Sequence, residues 1–293
     1  MRIVSFTHGE VPGAGIVDGE EIVAAARGAE AHGAIGRMIA GGEPERARWE
    51  ERRADPGAQR IPLAEARLEA PLPDPRQMIV CVGKNYRAHA TEFHKSGFDS
   101  SGKEEVPSHP VVFAKAGSSV VGPGAPIRAS LDPTGSVDYE GELGVVIGRR
   151  AFQVTREDAM AHVFGYTIVN DVTSRQLQSR HSQWLIGKSL DSFGPMGPWI
   201  VTADEIGDIG RLELVTRVDG EVRQKARVAD LIFDVPTLIA TLSATMTLAP
   251  GDVIATGTPA GVGIGFEPPR YLRPGDRVAV TIEGIGTLEN PVT

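Results

Sequence analysis

The chain of 293 residues contains a single cysteine, Cys81, so no intrachain disulfide can form and the fold does not depend on an oxidising compartment. Cys81 stands in the apolar run Met78–Val82, where a cysteine behaves as a small buried hydrophobe rather than a nucleophile. No stretch approaches the roughly 18 consecutive apolar residues of a membrane span. The opening Met1–Phe6 lacks the basic segment and long apolar run of a signal peptide, and a cytoplasmic protein with no membrane association is the expectation. There is no excess of positive charge either. Thirty basic against 38 acidic residues leave a net charge of −8, which argues against a nucleic-acid partner and against anionic membrane surfaces. A small anionic substrate is still allowed, because it needs a local cluster of Lys and Arg and not a basic surface. Also absent are Gly-x-Ser-x-Gly, His-Glu-x-x-His and Cys-x-x-Cys, which removes serine, zinc and dithiol chemistry.

What is present is an ordinary globular composition, 41% hydrophobic and 23% charged, in a chain long enough for one large unit and a small one. Residues 1 to about 25 read as a β-meander with a turn at Asp18-Gly19. A helix follows over Ala31–Ile39, with Gly41-Gly42 as a stop and the charged residues Glu43–Arg53 as a candidate extension. Prolines at 56, 62, 71, 73 and 75 place a boundary near 70–75, dividing a small accessory region, 1–72, from a larger one, 73–293. The larger region is dominated by short strands, among them Val137–Ile147, Phe164–Asp171 and Arg277–Ile282. Three helices interrupt them: Tyr86–Lys95, Arg156–Val163 capped by Thr155, and Val235–Thr245 capped by Asp234. Strict βαβ alternation is missing, so the expected class is α+β, rich in strands and mixed in direction.

The most informative feature is Glu140-Gly141-Glu142 within an apolar, β-branched run. Residues i and i+2 of a strand share a face, and two carboxylates facing a buried sheet repel each other unless a cation lies between them. The plain alternative is an edge strand with both glutamates in water. Asp171, at the end of another apolar strand, could cap a turn or supply a third carboxylate; oxygen ligands of this kind suit Mg²⁺ or Mn²⁺. His89 and Glu92 fall at i, i+3 of a predicted helix, a spacing that suits a carboxylate-oriented general base or a simple exposed pair. Arg175 and Gln178 share a helical face just after Asp171, and Lys188 follows in Gly187-Lys188-Ser189. These cations could act as counter-ions only, or could hold a substrate carboxylate and a developing oxyanion. The glycine-rich run Thr256–Gly263 offers backbone N–H groups but is no nucleotide fingerprint.

Taken in order, Gly83-x-Asn85-Tyr86-x-x-His89-x-x-Glu92, Phe113-x-Lys115, Tyr139-Glu140-Gly141-Glu142, Asn170-Asp171-x-x-x-Arg175-x-x-Gln178, Lys188-Ser189-x-Asp191 and Thr256-Gly257-Thr258-Pro259-x-Gly261 resemble the fumarylacetoacetate hydrolase superfamily, from about residue 75 to the C-terminus. The resemblance implies a mixed β-roll catalytic domain, a homodimer and an Mg²⁺ or Mn²⁺ site on Glu140, Glu142 and Asp171. It also implies a water-activating pair, His89 and Glu92, on a mobile segment. Lys188, Arg175, Gln178 and Thr258 match positions that hold or polarise a small anionic 2-oxo acid. The implied reaction is hydrolysis of a C–C bond in 2,4-dioxo acids such as fumarylpyruvate, with oxaloacetate-type decarboxylation and hydroxy-dienoate isomerisation as alternatives and a silent binding protein as a remote one. Lys84 departs from the pattern, where arginine or an apolar residue is common. Phe93–Pro107 is long and polar, and is expected to be mobile until it closes over a ligand.

Overall fold

The computed structural model describes residues 1–72, 78–99 and 104–293. Its central feature is a twelve-stranded sheet in which the N-terminal meander is continuous with the rest of the chain. The strand order runs Arg60–Pro62, Glu21–Arg27, Val11–Asp18, Arg2–His8, Gly194–Thr202, Val163–Asn170, Gly141–Ile147, Val253–Ala255, Ile79–Gly83 and Val111–Lys115, with two short strands pairing to the side. The join is antiparallel, Arg2 opposite Val201 and Ile3 opposite Ile200. Pairing is antiparallel along this path except between Val253–Ala255 and Ile79–Gly83, which run parallel. A four-stranded antiparallel sheet, Glu221–Arg227, Glu213–Val218, Arg277–Ile282 and Gly286–Pro291, packs its inner face against the first. Leu214, Val280, Ile282 and Leu288 meet Leu143, Val145, Tyr166 and Ile168 there. This is the strand-rich α+β class expected from the sequence.

Local rules account for most elements. Alternation in Arg277–Ile282, exposed Arg277 and buried Val278, Val280 and Ile282, is that of a strand with one face in the core. Asp219 and Gly220, both at positive φ, close the tight hairpin between Glu213–Val218 and Glu221–Arg227. Asp234 caps the helix Val235–Ser243 by accepting from the Thr237 N–H at 3.0 Å. The first long helix runs Ala34–Ala54, and Gly42 at φ 64° kinks it where the glycine pair suggested a stop.

Two expectations fail locally. The helix expected over Arg156–Val163 is a turn followed by a single 3₁₀ stretch, Ala159–His162. Thr155 and Asp158 close that turn through their side chains, and Val163 is already claimed by the next strand. The strand expected to run unbroken through Val137–Ile147 is interrupted at Tyr139-Glu140, between Val137–Asp138 and Gly141–Ile147. There the Glu140 N–H donates to the Asn170 side-chain oxygen and the Glu140 carbonyl accepts from the Asp171 N–H.

Candidate active site

The interruption puts Glu140, Glu142 and Asp171 together. They are all buried, with ligand oxygens within 4.8 Å of one another. That spread is one a single ion can bridge with metal–oxygen bonds of about 2.0–2.6 Å. Glu142 lies in the strand Gly141–Ile147 and Asp171 directly follows its neighbour Val163–Asn170, the register setting Gly141 opposite Asn170.

Cations surround two of the three carboxylates. The Lys188 ammonium donates to Glu140 Oε2 and to Asp171 Oδ2, each at 2.7 Å. Arg175 donates through Nη1 to Glu140 Oε1 at 2.6 Å and through Nε to Asp138 Oδ2 at 2.8 Å. Lys115, fully buried, lies 2.7 Å from Asp171 Oδ1 and donates to the carbonyls of Val172 and Lys188. Glu142 has no such partner among the described residues; its contact is the Gly257 N–H, at 2.8 Å from Oε2. The protonation behaviour follows. Burial would raise the Glu140 carboxyl, but Lys188, Arg175 and His89 outweigh it and hold it at about 2. Burial, with Asp171 and Glu140 adding repulsion, pushes Glu142 well above the usual carboxylate range. A buried carboxylate left without a counter-charge, beside two others within reach of one ion, is the donor set that a hard divalent cation fits.

His89 is buried on the helix Arg87–Lys95, and its Nδ1 lies 3.2 Å from Glu92 Oε2. Glu92 is held in turn by the Gly261 N–H, at 3.0 Å from Oε1, and packs on Gly265. Asp138 accepts from the Gly263 and Ile264 N–H groups as well as from Arg175, so one buried aspartate ties the Gly263–Gly265 turn beneath Glu92 to the arginine. His89, Arg175, Gln178, Lys188, Thr258, Glu140 and Glu142 line one cavity. Phe93, Phe113 and Trp184, stacked edge to face, form its apolar wall. Arg175 Nη2 is buried and has no hydrogen-bond partner among the described residues, a donor of fixed charge in the wall of that cavity.

All nine residues singled out in the sequence therefore meet in this region, Asp171 and Glu92 bordering the cavity through Lys188 and His89. The Thr258 hydroxyl is partly committed, donating to the Gly141 carbonyl at 3.0 Å and accepting from Gln224 at 2.7 Å. Sequence reasoning gave no role to Lys115 or Asp138. A lysine inside the apolar strand Val111–Lys115 was the available signal, since a buried lysine requires an acceptor. Of the long polar segment 93–107, residues 100–103 lie outside the described residues.

Residues 78–293 match the family described as fumarylacetoacetate (FAA) hydrolase C-terminal. The chain belongs to the fumarylacetoacetate hydrolase superfamily. Residues 1–71 match a second family, Rv2993c-like, N-terminal. A curated relative, oxaloacetate tautomerase YisK of Bacillus subtilis, is 49% identical over 247 residues, 84% of this chain and 80% of that protein. Among solved structures, a fumarylacetoacetate hydrolase from Exiguobacterium antarcticum aligns over 100% of this chain and 99% of its own, at TM-score 0.83 and 39% identity. Maleylpyruvate hydrolase from Sphingobium sp. SYK-6, in complex with manganese (II) ion and pyruvate, covers the same shares at TM-score 0.80 and 35% identity. The chain is thus similar both to a tautomerase and to hydrolases, one of which was solved with manganese (II) ion and pyruvate bound.

Proposed function

We propose that this protein is a divalent-metal-dependent enzyme that moves a proton on small 2-oxo acids, and that its reaction is keto–enol tautomerisation of a four-carbon 2-oxo diacid, oxaloacetate. The observation that carries the reading is the pairing, in one small cavity, of an imidazole oriented by a carboxylate with an unsatisfied guanidinium N–H and a buried ammonium. The 49% identical tautomerase supports the same choice. An Mg²⁺ or Mn²⁺ ion on Glu140, Glu142 and Asp171 would supply Lewis-acid polarisation of the 2-oxo group.

The chain's own residues then have distinct tasks. Arg175 Nη2, with its other nitrogens pinned by Asp138 and Glu140, holds the substrate carboxylate. Lys188 stays an ammonium, since Asp171 and Glu140 overcome the effect of burial and raise its pKa. Its remaining N–H donates to the oxygen that gains charge as the C3 proton leaves. Glu92 accepts from Nδ1 of His89, leaving Nε2 to take the C3 proton and deliver it to the 2-oxo oxygen, which gives the enol; the reverse transfer gives the keto form. Gln178, whose Oε1 accepts from Arg175, and Thr258 complete the wall.

A second reading, hydrolysis of an acylpyruvate, is favoured by the same His89–Glu92 pair, which could equally deprotonate a water, and by the pyruvate-bound hydrolase neighbour. The experiment is direct. Metal-loaded enzyme is mixed with the enol of oxaloacetate, with acetylpyruvate and with fumarylpyruvate, following enol absorbance and pyruvate release separately. Enol decay without pyruvate, reduced about 10²–10⁴-fold in His89→Ala with Mn²⁺ binding unchanged, is the expected result. Pyruvate release from the acylpyruvates alone would replace tautomerisation by hydrolysis, and a fully active His89→Ala would remove the base.

A further inference from the structure

The helix that carries His89 and Glu92 is fastened at both ends, and its far fastening is a buried ion pair that the proposed chemistry does not use. At the near end, Asn85 donates to the Phe233 and Thr256 carbonyls and accepts from the Phe233 N–H. At the far end the partner is Lys84, next to Asn85 in sequence. Its ammonium donates to Asp99 Oδ2 at 2.8 Å and to the Glu104 carbonyl at 2.6 Å. Both side chains of the Lys84–Asp99 pair are almost fully enclosed, 2% and 4% exposed. Lys84 also lines the cavity and holds its backbone at φ 55°, a left-handed conformation that a lysine adopts rarely. His94, in the last turn of the same helix, places Nδ1 3.3 Å from the same Asp99 oxygen.

We infer that Lys84 is a positioning residue: by holding Asp99 and the Glu104 carbonyl it ties these two residues beyond the Arg87–Lys95 helix to the cavity wall that Lys84 itself lines, and so fixes where His89 and Glu92 stand. A buried ammonium needs its acceptors, and both of these come from the segment that follows the helix. The unusual backbone at Lys84 aims one side chain from the root of the helix to the chain beyond its end. A nine-residue helix is too short to be stable by itself, so its position depends on such fastenings. The link to catalysis rests on the reading of His89 given above; the link to helix position does not.

The test uses Lys84→Met, Lys84→Arg, Asp99→Asn and the double variant Lys84→Met/Asp99→Asn as full-length, Mn²⁺-loaded protein. Hydrogen exchange over residues 87–99 reports the fastening without reference to turnover. Lys84→Met and Asp99→Asn are each expected to speed exchange there about 10-fold or more, and to lower kcat on the order of 10-fold while Mn²⁺ affinity holds. Lys84→Arg should keep both at the parent level, and the double variant should match the single ones. Should Lys84→Met not fold, Asp99→Asn carries the same readouts with the Lys84 backbone untouched. Unchanged exchange in Asp99→Asn, or single effects that multiply in the double variant, overturns the inference. Faster exchange with unchanged kcat keeps the fastening and removes instead the assignment of His89 as base.

Discussion

Glu140 and Glu142 are two residues apart and respond to acid in opposite directions, because the cations reach one and not the other. Glu140, held at about 2, is ionised in the fold where the unfolded chain's glutamate, near 4.3, is half protonated. Its stabilisation is present above about pH 4.3 and is lost as pH falls towards 2. Glu142 has the reverse sign. Its raised pKa means that the folded protein keeps a proton there which the unfolded chain releases, so stability falls as pH rises above about 4.3. A bound divalent cation supplies the missing counter-charge and cancels that loss. In EDTA at about pH 8, Glu142→Gln should therefore melt above the parent, by roughly 2–4 °C for each kcal/mol recovered. The same variant should gain little from Mn²⁺, which should stabilise the parent. Calorimetry in EDTA and in Mn²⁺ checks this, and a variant that melts below the metal-free parent would show that Glu142 carries no electrostatic penalty.

At the scale of the elements, the site depends on a turn that contributes no chemistry of its own. Gly265 ends the 3₁₀ stretch Gly263–Gly265, and a Cβ placed there would meet Glu92 Oε1 at 2.0 Å. Its φ is not in the left-handed region, so alanine adds no backbone strain and the displacement falls on the Glu92 carboxylate. Gly265→Ala should lower kcat about 10–10²-fold, the scale expected when a catalytic group is misplaced by an ångström, with the melting temperature close to the parent's. In a Glu92→Gln background the same change should cost little more, because the group it displaces is already disabled. Steady-state kinetics of the two single variants and the double one decide the matter, and independent multiplying losses would count against the packing argument.

For the whole molecule, the decisive fact is that the accessory segment and the catalytic segment share one sheet and one core. Ile3, Ile16, Met38 and Ile39 pack in the same cluster as Ile79, Cys81, Val146, Val169, Met196 and Ile200. Fully burying one such side chain is worth about 1.5–3 kcal/mol, and a domain's total stability is about 5–15 kcal/mol. Uncovering several at once removes a large part of that margin. We expect residues 73–293 produced alone to be aggregated or to melt far below the full chain, and adding residues 1–72 as a separate polypeptide to raise solubility. Circular dichroism and light scattering measure both, and a well-folded, active 73–293 fragment would show the boundary near 70–75 to be a true domain limit. No helix among the described residues is long and apolar enough to cross a membrane.

Much of this protein was legible without coordinates. The strand-rich class follows from short β-branched runs punctuated by Gly, Pro and Asp. The carboxylates of the site were marked by what they violate, since charges set beside apolar strands must have partners, and the order of the motifs along the chain carried the family. Tertiary structure alone decided which partner each one has. Glu140 is paired with Lys188 and Arg175 while Glu142 is not, and this goes with a strand break at Tyr139-Glu140 that the strand-like alternation of Val137–Glu142 concealed. The continuity of the meander with the catalytic sheet was equally hidden, because pairing between Arg2–His8 and Gly194–Thr202 joins residues nearly two hundred positions apart. Local sequence sets backbone preference and the burial of each face. Charge pairing and strand adjacency are set by which distant segments the core brings together.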